Sequence, residues 1–276
     1  MTTDRSVSGN ATVVRAIVWG SLLIIVALGA QMRLHTVLHS EIDNPVRNDA
    51  KQYFVYAYNL AQHGVYSQQR TAPSQAPQPD ALRPPVYPLF LSLFFEPDMA
   101  IEDFVVNVTV VQALISTVTI ILSYLLALRL VGTLGALLVA ALVALSPHIV
   151  NMNIYLLTET LFTFLLLCFC LTVLGTGKYR TFLLIVAGAL LAATALTRNW
   201  IQYFSLVVVV WIIFSELYKG RHRNAVVFFL SFACCFMIWP LRNYLALGAF
   251  SDNTLMINGL HHGMYPDFMY KGQAET

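Results

Sequence analysis

Five charged side chains stand in a polar loop or at the ends of long apolar runs, where they could act on an anionic lipid. Asp49 and Arg83 belong to a loop at residues 33–103, between the first two apolar runs. Glu159 opens the fourth run in Tyr155-Leu156-Leu157-Thr158-Glu159-Thr160. Arg198 closes the fifth in Thr197-Arg198-Asn199-Trp200, and Arg242 the seventh in Trp239-Pro240-Leu241-Arg242-Asn243-Tyr244. A charge near the membrane interior costs about 2.5–3.5 kcal/mol on insertion scales, so such residues are functional candidates by default. Guanidinium groups bind phosphate through two parallel hydrogen bonds, which suits an anionic headgroup. A nearby carboxylate is then placed to act as general base on a nucleophile attacking that headgroup.

Each residue also has a plainer role open to it. Arg198 and Arg242 fit as interface anchors that snorkel to water. Glu159 fits a helix start, where its charge suits the dipole, and Asp49 fits an N-cap. Asp43 reads as a solvated loop acid, and His261-His262 as surface histidines without the fixed partner that metal binding requires.

Long apolar helices must position these charges. Of 276 residues, 58% are hydrophobic and 11% charged, far from the composition of a soluble domain. A bilayer core takes about 20 mostly apolar residues per helix. Seven stretches qualify, near 12–32, 104–128, 134–150, 155–175, 181–197, 200–217 and 225–241. The expected fold is therefore an all-α integral membrane protein of about seven transmembrane helices. The first run has a basic start and ends in Ala27-Leu28-Gly29-Ala30, as a cleaved leader does. Its apolar stretch is long for a leader, so it is read as a retained span.

Charge placement gives an orientation. The turns after the second, fourth and sixth runs carry Arg129, then Lys178 and Arg180, then Lys219, Arg221 and Arg223. Short basic loops stay in the cytoplasm, which puts the N-terminus inside and the C-terminus outside. Of 14 acids, only Asp4 and Glu216 then fall on the inner side. A net charge of +2 gives no reason to expect nucleic acid. Cys168, Cys170, Cys234 and Cys235 lie within apolar runs and read as small buried hydrophobes.

The first outer loop carries its own order. Asp49 to Gln62 sets Tyr53, Tyr56, Ala57 and Leu60 on one face of an interfacial helix that Gly64 ends. Pro73 to Pro79 reads as irregular, and Val86 to Phe95 as a second helix too short to span. Ala136, Ala140 and Ala144, and Gly188, Ala192 and Ala195, form small-residue stripes suited to close helix packing. Pro240 should kink or end its helix.

These residues together resemble the polyprenyl-phosphate-dependent membrane glycosyltransferases of the GT-C type, the group of the protein O-mannosyltransferases and the aminoarabinose transferase of lipid A. The resemblance rests on Asp49-Ala-x-x-Tyr53, Asn59-Leu60, Gly64-Val65-Tyr66 and Arg83-Pro84-Pro85-x-Tyr87-Pro88-Leu89-Phe90. It continues through Ser146-Pro147, Thr158-Glu159-x-Leu161-Phe162, Thr197-Arg198, Pro240-Leu241-Arg242-Asn243-Tyr244 and Gly248-x-Phe250. It implies a sugar donor held on a polyprenyl phosphate and transferred at the outer face, usually with inversion, to a glycan, lipid or protein acceptor. Nucleotide sugar is not called for, no cofactor is expected and no metal ligand is assigned, and the cell membrane is the implied location.

Carried over residue by residue, Asp49 is similar to the catalytic acid of the first outer loop, and Glu159 to a second acid of the cavity. Arg83, Arg198 and Arg242 are similar to residues that contact the donor phosphate, and Tyr53, Tyr87 and Asn243 to residues lining the cavity. The sequence departs from the family pattern at Asn48, where an acid often precedes Asp49, and at Leu82-Arg83, where Glu-Lys is frequent. The expected organisation is a single module over 1–276, with the outer C-terminal segment 242–276 shortened relative to the family. A non-catalytic lipid-binding subunit is the alternative reading. A transporter lacks support, since no repeated half or Gly/Pro-broken helix pair is evident.

Overall fold

The computed structural model describes residues 4–41, 44–70, 75–96 and 98–252, with isolated positions 257, 261 and 264. The side chains of 4–11, 199–200 and 202–204 lie outside that description, as do Asp43 and His262. The described chain is helical, without strands. In order come α1 (Asp4–His39), α2 (Asn48–His63), α3 (Val86–Ser92), α4 (Ile101–Leu145) and α5 (Pro147–Asn151). A 3-10 turn (Met152–Ile154) then leads to α6 (Glu159–Val173), α7 (Arg180–Ala195), α8 (Asn199–Tyr218) and α9 (His222–Leu247).

Among the described residues, Thr12–His39, Ile101–Leu145 and His222–Leu247 are long and apolar enough to cross a membrane. A fourth span results if the pair Pro147–Ile154 and Glu159–Val173, bent by 120°, counts as one. Large apolar side chains such as Trp19, Leu23, Leu134 and Ile238 are exposed along these helices, and Trp211 along α8. Water would penalise so much apolar surface, whereas lipid accepts it. The protein is an all-helical membrane protein.

The chain divides into two compact units, one of residues 1–50 and 96–175, the other of 51–95 and 176–276. In the first unit α4 is two helices joined at Gly132, whose φ of 73° and ψ of −176° break the helical path. A straight helix would hold Ser116 and Ala144 about 42 Å apart. Both instead hydrogen-bond the Arg33 side chain, so the chain doubles back at the break. The second and third apolar runs are these two limbs. Ala136, Ala140 and Ala144 are fully buried against Leu22, Ile120 and Tyr124, while Leu134, Leu138 and Leu142 face outward. The expected alanine stripe is a packing face.

The second unit is built on α7, α8 and α9. A Cβ on Gly188 would come within 2.7 Å of the Phe228 carbonyl oxygen and 2.8 Å of the Phe232 nitrogen, so α7 and α9 approach backbone to backbone there. Ser231 reinforces the contact by donating to the Ile185 carbonyl at 2.6 Å.

Three sequence expectations change. Of the two outcomes open to Pro240, a kink or an end, the end is overturned: Pro240 lies inside α9, which runs on to Leu247, and the left-handed Gly248 (φ 71°) ends the helix, its N–H bonding the Tyr244 carbonyl. A proline forfeits one helical bond, and the surrounding turns of α9 carry the helix past it. The four cysteines are not core residues: Cys234 is exposed and the others are half-buried. The second loop helix also stops at Ser92, short of Phe95.

Candidate functional site

In the first unit, a hydrogen-bonded break sets the position of Glu159. Ser146 caps α5, accepting from the Ile149 N–H, with Pro147 in the first turn. Asn153, fully buried, donates to the Ile149 and Val150 carbonyls at 2.9 and 3.0 Å and accepts from Thr160 at 3.1 Å. Gln112 on α4 donates to the carbonyls of Asn153 and Tyr155 at 3.1 and 2.9 Å. These bonds satisfy backbone groups that a bend leaves without helical partners. They also make Glu159 the first residue of α6, where the helix dipole favours its charge.

Glu159 lines a cavity of about 240 Å³ between α4, α5 and α6. Ser116, Thr119, Ser123, Thr160 and Thr163 supply hydroxyls there, and His148 an imidazole. Asp49, exposed in the first turn of α2, lines a second pocket of about 320 Å³ with Arg47, Tyr155 and Leu157. Met152 is common to both pockets. The two predicted acids thus belong to one unit, in adjacent pockets.

Arg33 is the polar residue that spacing did not single out. It is fully buried. Its Nε donates to Ser116 Oγ at 2.8 Å and its Nη atoms to the carbonyls of Gly29, Ala144 and Val143 at 2.9–3.0 Å. Val143 and Ala144 close the last turn of α4, where orphan carbonyls and the negative dipole end welcome a cation. Its contact Ser116 also lines the Glu159 cavity. The available signal was an arginine in a span, which by default needs a partner.

In the second unit the first loop is knitted to itself and to α7 and α9. Gly64 (φ 65°) ends α2, its N–H bonding the Leu60 carbonyl. Tyr53, Tyr56 and Ala57 form the buried face of α2, with Leu60 half-buried. Asn59 donates to the Ser67 and Gln69 carbonyls, and Tyr66 to those of Arg83 and Pro84. The Asp80 carboxylate accepts from Tyr56 Oη, from the Gln68 N–H at 2.7 Å and from the Leu82 N–H at 3.3 Å. Burial, then the bond to Asp80, pushes the Tyr56 phenol well above its usual range. Burial, then Tyr56 and Asp80, does the same to Tyr66. Asp80 had stood in the sequence only as one more outer acid; its place two residues before Leu82 is the Asx-turn signal.

Arg242 clamps this loop to α9. Its Nη1 donates to the Asp80 carbonyl at 2.6 Å and Nη2 to the Tyr66 carbonyl at 3.1 Å, with the guanidinium over the Tyr66 and Trp239 rings. Asn243 is buried and accepts from Arg242. Arg83 donates to Gln52 at 2.6 Å and lies 5.1 Å from the Tyr53 ring centroid; Tyr53 meets Tyr87 edge-on. Arg198 is half-buried at the N-cap of α8, and the Val86 N–H bonds the Leu196 carbonyl at the end of α7. Arg83, Tyr53 and Tyr87 form one cluster, Arg242 and Asn243 another.

Long apolar helices with exposed apolar faces, an acid-bearing cavity and an arginine-clamped loop define a helical membrane protein equipped for polar chemistry. Residues 82–242, more than half of the chain, match the dolichyl-phosphate-mannose-protein mannosyltransferase family, and the chain belongs to that family of GT-C membrane glycosyltransferases. No curated protein and no solved structure matches it. Arg83, Tyr87, Glu159, Arg198 and Arg242 lie inside the matched stretch; Asp49, Tyr53 and Asn243 lie outside it.

Proposed function

We propose that the protein transfers a sugar from a polyprenyl-phosphate donor to an acceptor hydroxyl at the extracytoplasmic face of the cell membrane. The family assignment carries this reading. Asp49 serves as general base, taking the acceptor proton as the acceptor oxygen attacks the anomeric carbon. The bond from that carbon to the phosphate oxygen breaks, and the polyprenyl phosphate leaves with its electron pair. Attack opposite the leaving group inverts the anomeric carbon. A carboxylate exposed in a pocket, as Asp49 is, suits a base that must meet an acceptor from outside.

Glu159 contributes a second carboxylate in a hydroxyl-lined cavity. Arg83, Arg198 and Arg242 provide positive charge for the donor phosphate. Arg242 does so while holding the loop, since its guanidinium already binds two loop carbonyls. Tyr53, Tyr87 and Asn243 are cavity-lining residues that keep Arg83 and Arg242 in place. Seven spans, an inner N-terminus and an outer C-terminus complete the reading, with 1–276 as one module. The seven apolar runs are each helical over most of their length, which supports that count.

Purified protein in lipid, given radiolabelled polyprenyl-phosphate mannose and other lipid-linked sugars with candidate acceptors, should release labelled product. Donor binding without transfer to any acceptor would instead favour a lipid-binding subunit.

A further inference from the structure

At the end of the second unit where α7 and α9 begin and α8 finishes, the chain forms a pocket of about 440 Å³. Thr176, Gly177, Arg180, Arg221, Arg223 and Asn224 line it. Three guanidiniums around one cavity need negative charge. One carboxylate is close, Glu216, and it is buried and engaged: Arg180 donates to Oε1 at 2.7 Å and Asn224 to Oε2 at 3.1 Å. That pair cancels Arg180. Arg221 and Arg223 are both exposed and make no ion pair with Glu216; Lys219 neighbours Arg221 in sequence, and Lys178 neighbours Arg180. Two helix N-termini, those of α7 and α9, add partial positive charge to the same place.

The surrounding side chains fix the level of this pocket. Tyr179, Phe182 and Tyr218 are exposed on the helices around it, Tyr218 at 93%. The two tyrosines are amphipathic aromatics of the kind that mark the headgroup level of a bilayer, and Phe182 faces its apolar side. Basic pockets between helices at this level bind anionic headgroups. We infer that the Arg180–Arg221–Arg223 pocket holds the phosphate of an anionic phospholipid, whose acyl chains lie against the exposed apolar flanks of α7 and α9. The bound lipid ties the two helix starts together. This site is independent of sugar transfer and takes no part in it.

The test uses the purified full chain in a neutral detergent, with dioleoylphosphatidylglycerol, dioleoylphosphatidylcholine and inorganic phosphate as probes, bound lipid being counted by native mass spectrometry. Phosphatidylglycerol should be retained over phosphatidylcholine. The double variant Arg221→Gln/Arg223→Gln should weaken phosphatidylglycerol about twenty-five-fold, roughly fivefold per basic residue removed. Equal retention by parent and variant overturns the proposal, as does equal retention of the two lipids. Displacement of the lipid by millimolar phosphate overturns the assignment to a lipid. Should the double variant not fold, salt decides on the parent: release of phosphatidylglycerol as salt rises supports the site, and indifference to salt overturns it. Sugar transfer, assayed separately, should be unaltered in the variant.

Discussion

Tyr56 and Tyr66 are buried phenols whose hydroxyls tie the first loop together, one to the Asp80 carboxylate and one to the carbonyls before the Pro84-Pro85 turn. Their raised pKa values have a consequence for pH. An unfolded tyrosine ionises near pH 10. A folded value above that means the docked loop keeps its full stability below about pH 10 and loses it as pH rises beyond. Proteolysis of the loop, or tyrosinate absorbance against pH, should show this alkaline step, and Tyr56→Phe should shrink it. A loop equally protected at high pH would contradict the role given to these phenols. The clamp is testable too: Arg242→Lys loses the fork on the Tyr66 and Asp80 carbonyls and should cost about 1.5–3 kcal/mol of loop docking, the scale of hydrogen bonds to charged groups. Protection of the loop equal to the parent would reduce Arg242 to an interface anchor. Asp49 and Glu159 could be picked out in the sequence because a carboxylate beside an apolar run is conspicuous. The partners of Asp80 and Arg33 could not, because they lie 24 and up to 111 residues away and only folding reveals them.

Helix identity was legible from the length of the apolar runs, and one helix end from glycine: Gly64 stops α2 with positive φ, while Gly248, which does the same for α9, was not singled out as an end. What escaped was the tolerance of α9 for Pro240, since the proline signal is local and the packing that sustains the helix is not. The small-residue stripes were read correctly because close approach leaves no room for alternatives. At Gly188 the neighbours are backbone atoms, which cannot step aside. Gly188→Val should therefore part α7 from α9 and destabilise the protein by about 1–3 kcal/mol, the usual cost of overpacking. Gly20→Ala, with nothing within 4 Å of the added methyl, is the matched control and should melt with the parent. Equal melting of both variants would mean that the helices are not held at this crossing.

At the scale of the whole molecule, composition established a helical membrane protein, and the family match names its class. Orientation is a matter of charge bias, which a membrane experiment reads directly. With the four native cysteines replaced by alanine, Ser251→Cys should react with an impermeant maleimide on intact cells and Lys219→Cys only after lysis. The reverse pattern would invert the topology and remove Asp49 from the outer face. The central claim, that Asp49 is the base of a lipid-linked sugar transfer, is tested most directly by single-turnover transfer from radiolabelled polyprenyl-phosphate mannose in the parent and in Asp49→Asn. Transfer should fall by about a hundredfold or more in the variant, as loss of general base catalysis entails, while donor binding is kept. Transfer at the parental rate in Asp49→Asn would contradict it.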